Sequence, residues 1–219
     1  MGLLDALTSA YAKAEGLLME SPKAGLLTAE RTSSVPDYAT SKRARGPVVV
    51  ESAIKRIEKM LGPKVMTADA KELMDITANV ESWRGLYPKT FDKQVLGPRR
   101  SVGHGGLWQV TSKNIKDTVK EASRRNENAG INKVLDKLTK LGFDFRKLAT
   151  EEDTVIEDFL EKPLNSGLAA RLAYLVNNNP IPSSTIGKIR YYHDVFAPQT
   201  RTIKKPENYL RGLGLIGSF

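Results

Sequence analysis

A chain of 219 residues with 40% hydrophobic content is long enough to bury one good core, and one core domain with extensions is expected. The 34 basic residues outnumber 25 acidic ones for a net charge of +9, which favours a polyanionic partner: nucleic acid, an anionic membrane face, or the acidic peptide stems of a bacterial cell wall. The absence of cysteine excludes disulfides, thiolate metal sites and cysteine nucleophiles, and the only two histidines, His104 and His193, lie too far apart in sequence to read as a metal site. No metal and no cofactor is expected.

In chain order, residues 1–20 place Leu3, Leu4, Leu7, Tyr11, Leu17 and Leu18 on one stripe, the pattern of an amphipathic docking helix. Transient membrane contact is the weaker reading of that helix, because its polar face is not rich in Lys or Arg. Residues 21–47 carry Pro22, Pro36 and Pro47 with little periodicity and read as an extended tether, within which the basic run "SKRARG" is first of all a solvated linker. No apolar run is long enough to span a bilayer, and the first residues lack the pattern of a secretory signal, so a soluble protein is expected.

Residues 48–203 read as the main domain. "VVVESAIKRIEKMLG" spaces Val50, Ile54, Ile57, Met60 and Leu61 as a helix stopped by Gly62-Pro63, and "TADAKELMDITANVES" is a second helix with Thr67 as its cap. Further helices fit "SKNIKDTVKEASRRNENA", "INKVLDKLTKLG", the stretch from Thr150 to Pro180 broken at Pro163, and "STIGKIRYYHDVF". Strand-like alternation is scarce apart from a short hairpin expected between Leu96 and Val110, so the fold class is mainly α. Residues 204–219, containing "RGLGLIGSF", form a tail.

One carboxylate draws the chemistry. Glu81 ends the apolar face of the second helix in "VESWRG", with Ser82 and Trp83 beside it and Trp108 and Gln109 across a loop that also carries Tyr87 and Phe91. Burying a lone carboxyl against apolar neighbours raises its pKa, as a general acid for glycosidic cleavage requires. Composition and periodicity alone favour a plainer account, with Glu81 as a solvated charge and "GLWQV" as ordinary core.

The joint pattern of "VESWRG" and "GGLWQV" resembles the catalytic core of the lytic transglycosylase family with a goose-type lysozyme fold. The resemblance implies that Glu81 is the catalytic acid/base, that Ser82 supports it, and that Gly106, Leu107, Trp108 and Gln109 line the substrate cleft. The segment "GLAARLAYLVNNNPIPSSTIGKIRYYHDVFAPQT" looks like the end of muramidase-like domains in phage structural proteins. Tyr174 is the closest counterpart of the family's cleft tyrosine, although Leu175 follows it where the pattern has Asn. The aromatic pair Tyr191-Tyr192 reads first as packing and second as lining of the cleft. Together the similarities cover roughly residues 50 to 200.

What the resemblance implies is a murein lytic transglycosylase riding in a bacteriophage virion and opening the host wall, at the cell wall or periplasm, during genome ejection. Peptidoglycan glycan strands are then the substrate, and other virion proteins are partners of the first helix and the tail. Two alternatives stay open: a phage endolysin, and a non-enzymatic virion structural protein that keeps a lysozyme-like scaffold. A DNA-binding packaging protein ranks last, because the basic residues are scattered and no nucleic-acid fold signature is present, so no specific nucleic-acid binding is expected. The motif region offers no second acid: Asp75 should point away from Glu81, and Asp92 sits amid basic residues. A single acid favours transglycosylation over hydrolysis by a carboxylate pair.

Overall fold

Gly46, at φ 98°, turns the chain into helix α1 (Pro47–Leu61). Pro47 stands in the first turn, where a missing N–H costs nothing. Gly62, at φ 88°, ends the helix with its N–H on the Glu58 carbonyl at 2.7 Å. Both glycines adopt a backbone that residues with a Cβ rarely accept. Helix α2 (Ala68–Ser82) follows, and Thr67 caps it as expected by accepting the Ala70 N–H at 3.2 Å. The computed structural model describes residues 39–40, 46–82, 104–126, 129–177 and 179–196. The expected first helix, the tail, nearly all of the tether, and the loop with Trp83, Tyr87, Phe91 and Asp92 lie outside the described residues, as does the His104 side chain.

Two short strands, β1 (His104–Gly105) and β2 (Val110–Thr111), pair antiparallel with His104 opposite Thr111 and Gly105 opposite Val110. The expected hairpin thus has its pairing at the C-terminal end of the expected range. Thr111 and Asn114 then form a capping box that starts α3 (Ser112–Ser123). This helix was expected to run to Ala129 but stops earlier. Asn132 reaches back, and its amide donates to the Ala122 and Asn126 carbonyls at 3.1 and 3.0 Å. Side-chain donors on carbonyls at a helix end take the place of the next turn's N–H groups.

Helices α4 (Gly130–Lys140), α5 (Phe145–Leu148), α6 (Asp153–Leu160), α7 (Pro163–Val176) and α8 (Thr185–Val195) complete the described fold. The single turn α5 was not expected; the Asp144 carboxylate caps it from the Lys147 N–H at 3.0 Å. Pro163 does divide two helices, standing in the first turn of α7. Eight helices against two two-residue strands make the described residues mainly α.

Helix α7 is the hub. Ten consecutive residues from Pro163 to Leu172 are buried, which is why "PLNSGLAARLAYLV" shows little amphipathic periodicity: a helix covered on all sides has no face to keep polar. It packs on α1, α2, α3, α4 and α6. Gly167 allows close packing, since a Cβ there would lie 2.8 Å from Ile57 Cδ1 and 3.1 Å from the Trp108 ring. A second, smaller apolar cluster of Leu73, Tyr174, Tyr191 and Tyr192 joins α2 to α7 and α8.

Helix α8 is fastened to the start of α2 by a buried cation. Lys188, 1% exposed, donates to Asp69 at 2.9 Å, Glu72 at 2.8 Å and the Ser183 carbonyl at 2.6 Å. All three ammonium protons are matched, the condition under which a lysine is tolerated away from water. One turn further along α8 comes Tyr192. The described residues all fall within one unit, Pro36–Gln199, and no described helix is long and apolar enough to cross a membrane.

Candidate active site

The site is built on the last turn of α2. Residues 77, 78, 81 and 82 occupy that turn and the one before it, and each has a defined partner or environment. Thr77 donates its single hydroxyl proton to the Leu73 carbonyl at 2.7 Å, so the Tyr174 hydroxyl is the donor across the 2.6 Å contact between the two side chains. Ser82 directs its hydroxyl at the Ala78 and Leu107 carbonyls, 2.9 and 2.7 Å away. The second contact ties the end of α2 to the hairpin turn. Trp108 adds another tie, donating its indole N–H to the Met74 carbonyl at 2.8 Å.

The turn itself, Gly106–Gln109, is held from below. Gly106 has φ 67°, and a Cβ there would lie 2.3 Å from Ser166 Cβ and 2.4 Å from the Leu160 carbonyl. Glycine is therefore required twice over, by conformation and by space. The Trp108 N–H donates to Ser166 Oγ at 3.3 Å, and the Gln109 side-chain amide folds back onto the Gly106 carbonyl at 3.2 Å. Gln109 has φ 50°, the only non-glycine residue with positive φ among those described. Such backbone persists where surroundings over-determine it, and it is concentrated at functional sites.

Glu81 is half-buried and its Oε1 accepts the Tyr192 hydroxyl proton. Burial is the larger influence and raises the carboxyl above its ordinary value of 4.5, while the Tyr192 hydrogen bond opposes part of the rise. The negative end of the α2 dipole acts in the same direction as burial, because it disfavours a carboxylate in the last turn. Among the described residues, burial and the Tyr192 hydrogen bond are the causes that act on Glu81. Behind Tyr192 the rings of Tyr174, Tyr191 and Phe196 stack, with centroids 5.3 to 6.0 Å apart. Arg171 lies beside this cluster, 6% exposed, and grips the Val65 carbonyl through Nε and Nη2 at 3.2 and 2.6 Å. Desolvation pushes the guanidinium down to about 10.

The fold thus brings all seven sequence-selected residues to one region. Ser82 meets Leu107 directly, Trp108 meets the middle of α2, and Tyr174 joins through Thr77. Leu107, Trp108 and Tyr174 are 0, 0 and 2% exposed, so what they supply in this structure is support under the Glu81 turn. Sequence reasoning ranked packing above cleft lining for Tyr192 and missed its hydroxyl on Glu81. No local signal could have found it, because Lys188, one turn earlier, sets α8 against α2 only through its long-range partners Asp69 and Glu72. Among the described residues, no group of three His, Asp or Glu side chains is arranged to hold a metal ion. Compared with known protein-family models, curated proteins and solved structures, the chain matches none.

The raised Glu81 pKa has a consequence for stability that is independent of function. The folded state binds the carboxyl proton more tightly than the unfolded chain does, so Glu81 lowers stability as pH rises from the ordinary carboxylate value through the raised one. Glu81→Gln removes that penalty. Urea midpoints of parent and variant, compared at about pH 4 and about pH 7, shift in favour of the Gln variant at the higher pH. A difference that is the same at both values contradicts the raised pKa.

Proposed function

We propose that the chain is a lysozyme-like murein lytic transglycosylase carried in a bacteriophage virion, with Glu81 as its acid/base. The observation that carries this reading is the half-buried Glu81 carboxyl, raised by desolvation and fastened through its neighbour Ser82 to the Gly106–Gln109 turn. A general acid works best when its pKa approaches the operating pH, and desolvation moves Glu81 in that direction. In the proposed reaction Glu81 donates its proton to the glycosidic oxygen between N-acetylmuramic acid and N-acetylglucosamine. The resulting carboxylate takes the proton of the muramoyl C6 hydroxyl, whose oxygen attacks C1 and closes a 1,6-anhydro ring. Tyr192 offers the carboxylate a hydrogen bond in the interval between the two proton transfers. The virion setting rests on the likeness of the segment from Gly167 to Thr200 to phage muramidase-like domains.

Mass spectrometry of sacculi digested with the protein tests the reaction class. Anhydromuropeptides are the expected product; reducing-end muropeptides alone would make the enzyme a hydrolase. The second reading, a virion structural protein on the same scaffold, draws on the burial of Leu107, Trp108 and Tyr174, since residues sealed in a core persist for packing as well as for catalysis. It predicts no digestion of either kind.

A further inference from the structure

A cavity of about 340 Å³ opens between α3 and the C-terminal ends of α7 and α8. Its floor is small and aliphatic, made by Ala173, Val176 and Val195, and its wall is the polar face of α3. The volume is at the lower end of the range for small-ligand pockets.

Three side chains on that wall carry hydrogen-bonding capacity that is unused among the described residues. Thr118 is 8% exposed and its hydroxyl makes no hydrogen bond. Because no side-chain oxygen among the described residues is both sealed and unpartnered, that hydroxyl is open to solvent, on a residue that lines the cavity. Asn114 has its carboxamide oxygen engaged by the Thr111 N–H and hydroxyl at 3.0 and 2.5 Å, which fixes the amide orientation and leaves its NH2 group free to donate. Lys120 has no ion-pair partner among the described residues. The two acids of the wall are matched already, Asp117 by Lys113 and Glu121 by Arg124 and Arg125. The unspent capacity is therefore mostly donor and the surplus charge is positive, over a floor sized for methyl groups.

We infer that this cavity binds the carboxylate end of a short peptide with small aliphatic side chains and, resting on the function proposed above, that the peptide is the alanine-terminated stem of peptidoglycan. The cavity and the Glu81 carboxyl share two helices. Helix α7 gives Tyr174 to one and Ala173 and Val176 to the other, and α8 gives Tyr192 to one and Val195 to the other. Tyr192 and Val195 are separated by about 4.5 Å along the helix. A stem of about five residues reaches roughly 17 Å, enough to cross that turn from a glycan seated at Glu81. The enzyme then selects strands by their stems as well as by their sugars.

The test is a titration of the whole protein with N-acetyl-D-alanyl-D-alanine, followed by amide chemical shifts, beside the same dipeptide with its carboxyl amidated. For a ligand of roughly 14 non-hydrogen atoms the expected dissociation constant is on the order of 1 mM. The amidated form binds about tenfold more weakly, and Thr118→Val and Lys120→Ala each weaken the acid by about fivefold. Glu81→Gln binds it as the parent does. Equal affinity for acid and amide, no binding by the parent, or indifference to both wall substitutions overturns the inference. Wall digestion without dipeptide binding removes the stem site and leaves Glu81 standing; binding that depends on Thr118 without any digestion leaves peptide recognition standing and removes the catalytic reading.

Discussion

Under the proposed function, Glu81→Gln reduces the digestion of purified sacculi by about 10²- to 10⁴-fold, the usual contribution of a positioned general acid/base. The substitution suits the question because the carboxamide oxygen still accepts the Tyr192 hydroxyl, so the contact between α2 and α8 persists. What is lost is the exchangeable proton that burial keeps on the carboxyl at higher pH. The variant should remain folded and still bind sacculi, with only the release of soluble fragments affected. Release at the parental rate would remove Glu81 from the mechanism whatever its pKa.

Trp108→Ala lowers stability by about 3–5 kcal/mol, the range for truncating a fully buried large aromatic. The side chain is 0% exposed, its ring lies over Gly167 of α7, and its indole N–H is spent on the Met74 carbonyl of α2. The loss combines the transfer of the ring back to water with a cavity at the meeting point of α1, α2 and α7, which rigid helices cannot close. Denaturant unfolding followed by far-UV circular dichroism measures it. A change below about 1 kcal/mol would mean that the core collapses onto the vacated space, and that Trp108 is not the support it is taken for here. Because the Trp108 N–H also holds Ser166 and the preceding Leu107 carbonyl holds Ser82, the proposed digestion should fall with stability in this variant, whereas in Glu81→Gln the two separate.

Most helices were legible because their apolar spacing is a local property. Val50, Ile54, Ile57 and Leu61 recur at the helical period in α1, as do Ala70, Leu73, Met74 and Thr77 in α2, and these are residues the structure buries. Thr67, Gly62 and Pro163 gave boundaries for the same reason, since a cap or a missing N–H acts on the turn in which it sits. The early end of α3 was not legible. It involves Asn132, which comes from the next helix and donates to the Ala122 carbonyl in the last turn.

The candidate site divides along the same line. Sequence by itself selected Glu81, Ser82 and the Gly106–Gln109 turn through a joint motif, and located Tyr174 on α7. Only the tertiary structure decided what these residues touch: that Ser82 reaches the Leu107 carbonyl, that Trp108 is sealed beneath the turn, and that Tyr192 supplies the hydroxyl on Glu81. The physical reason is distance along the chain. A helical period reports which face of a segment is apolar, but Tyr192 meets Glu81 because Lys188, saturated by Asp69, Glu72 and the Ser183 carbonyl, sets α8 against α2. That register comes from contacts between residues more than a hundred positions apart, and no local pattern encodes it.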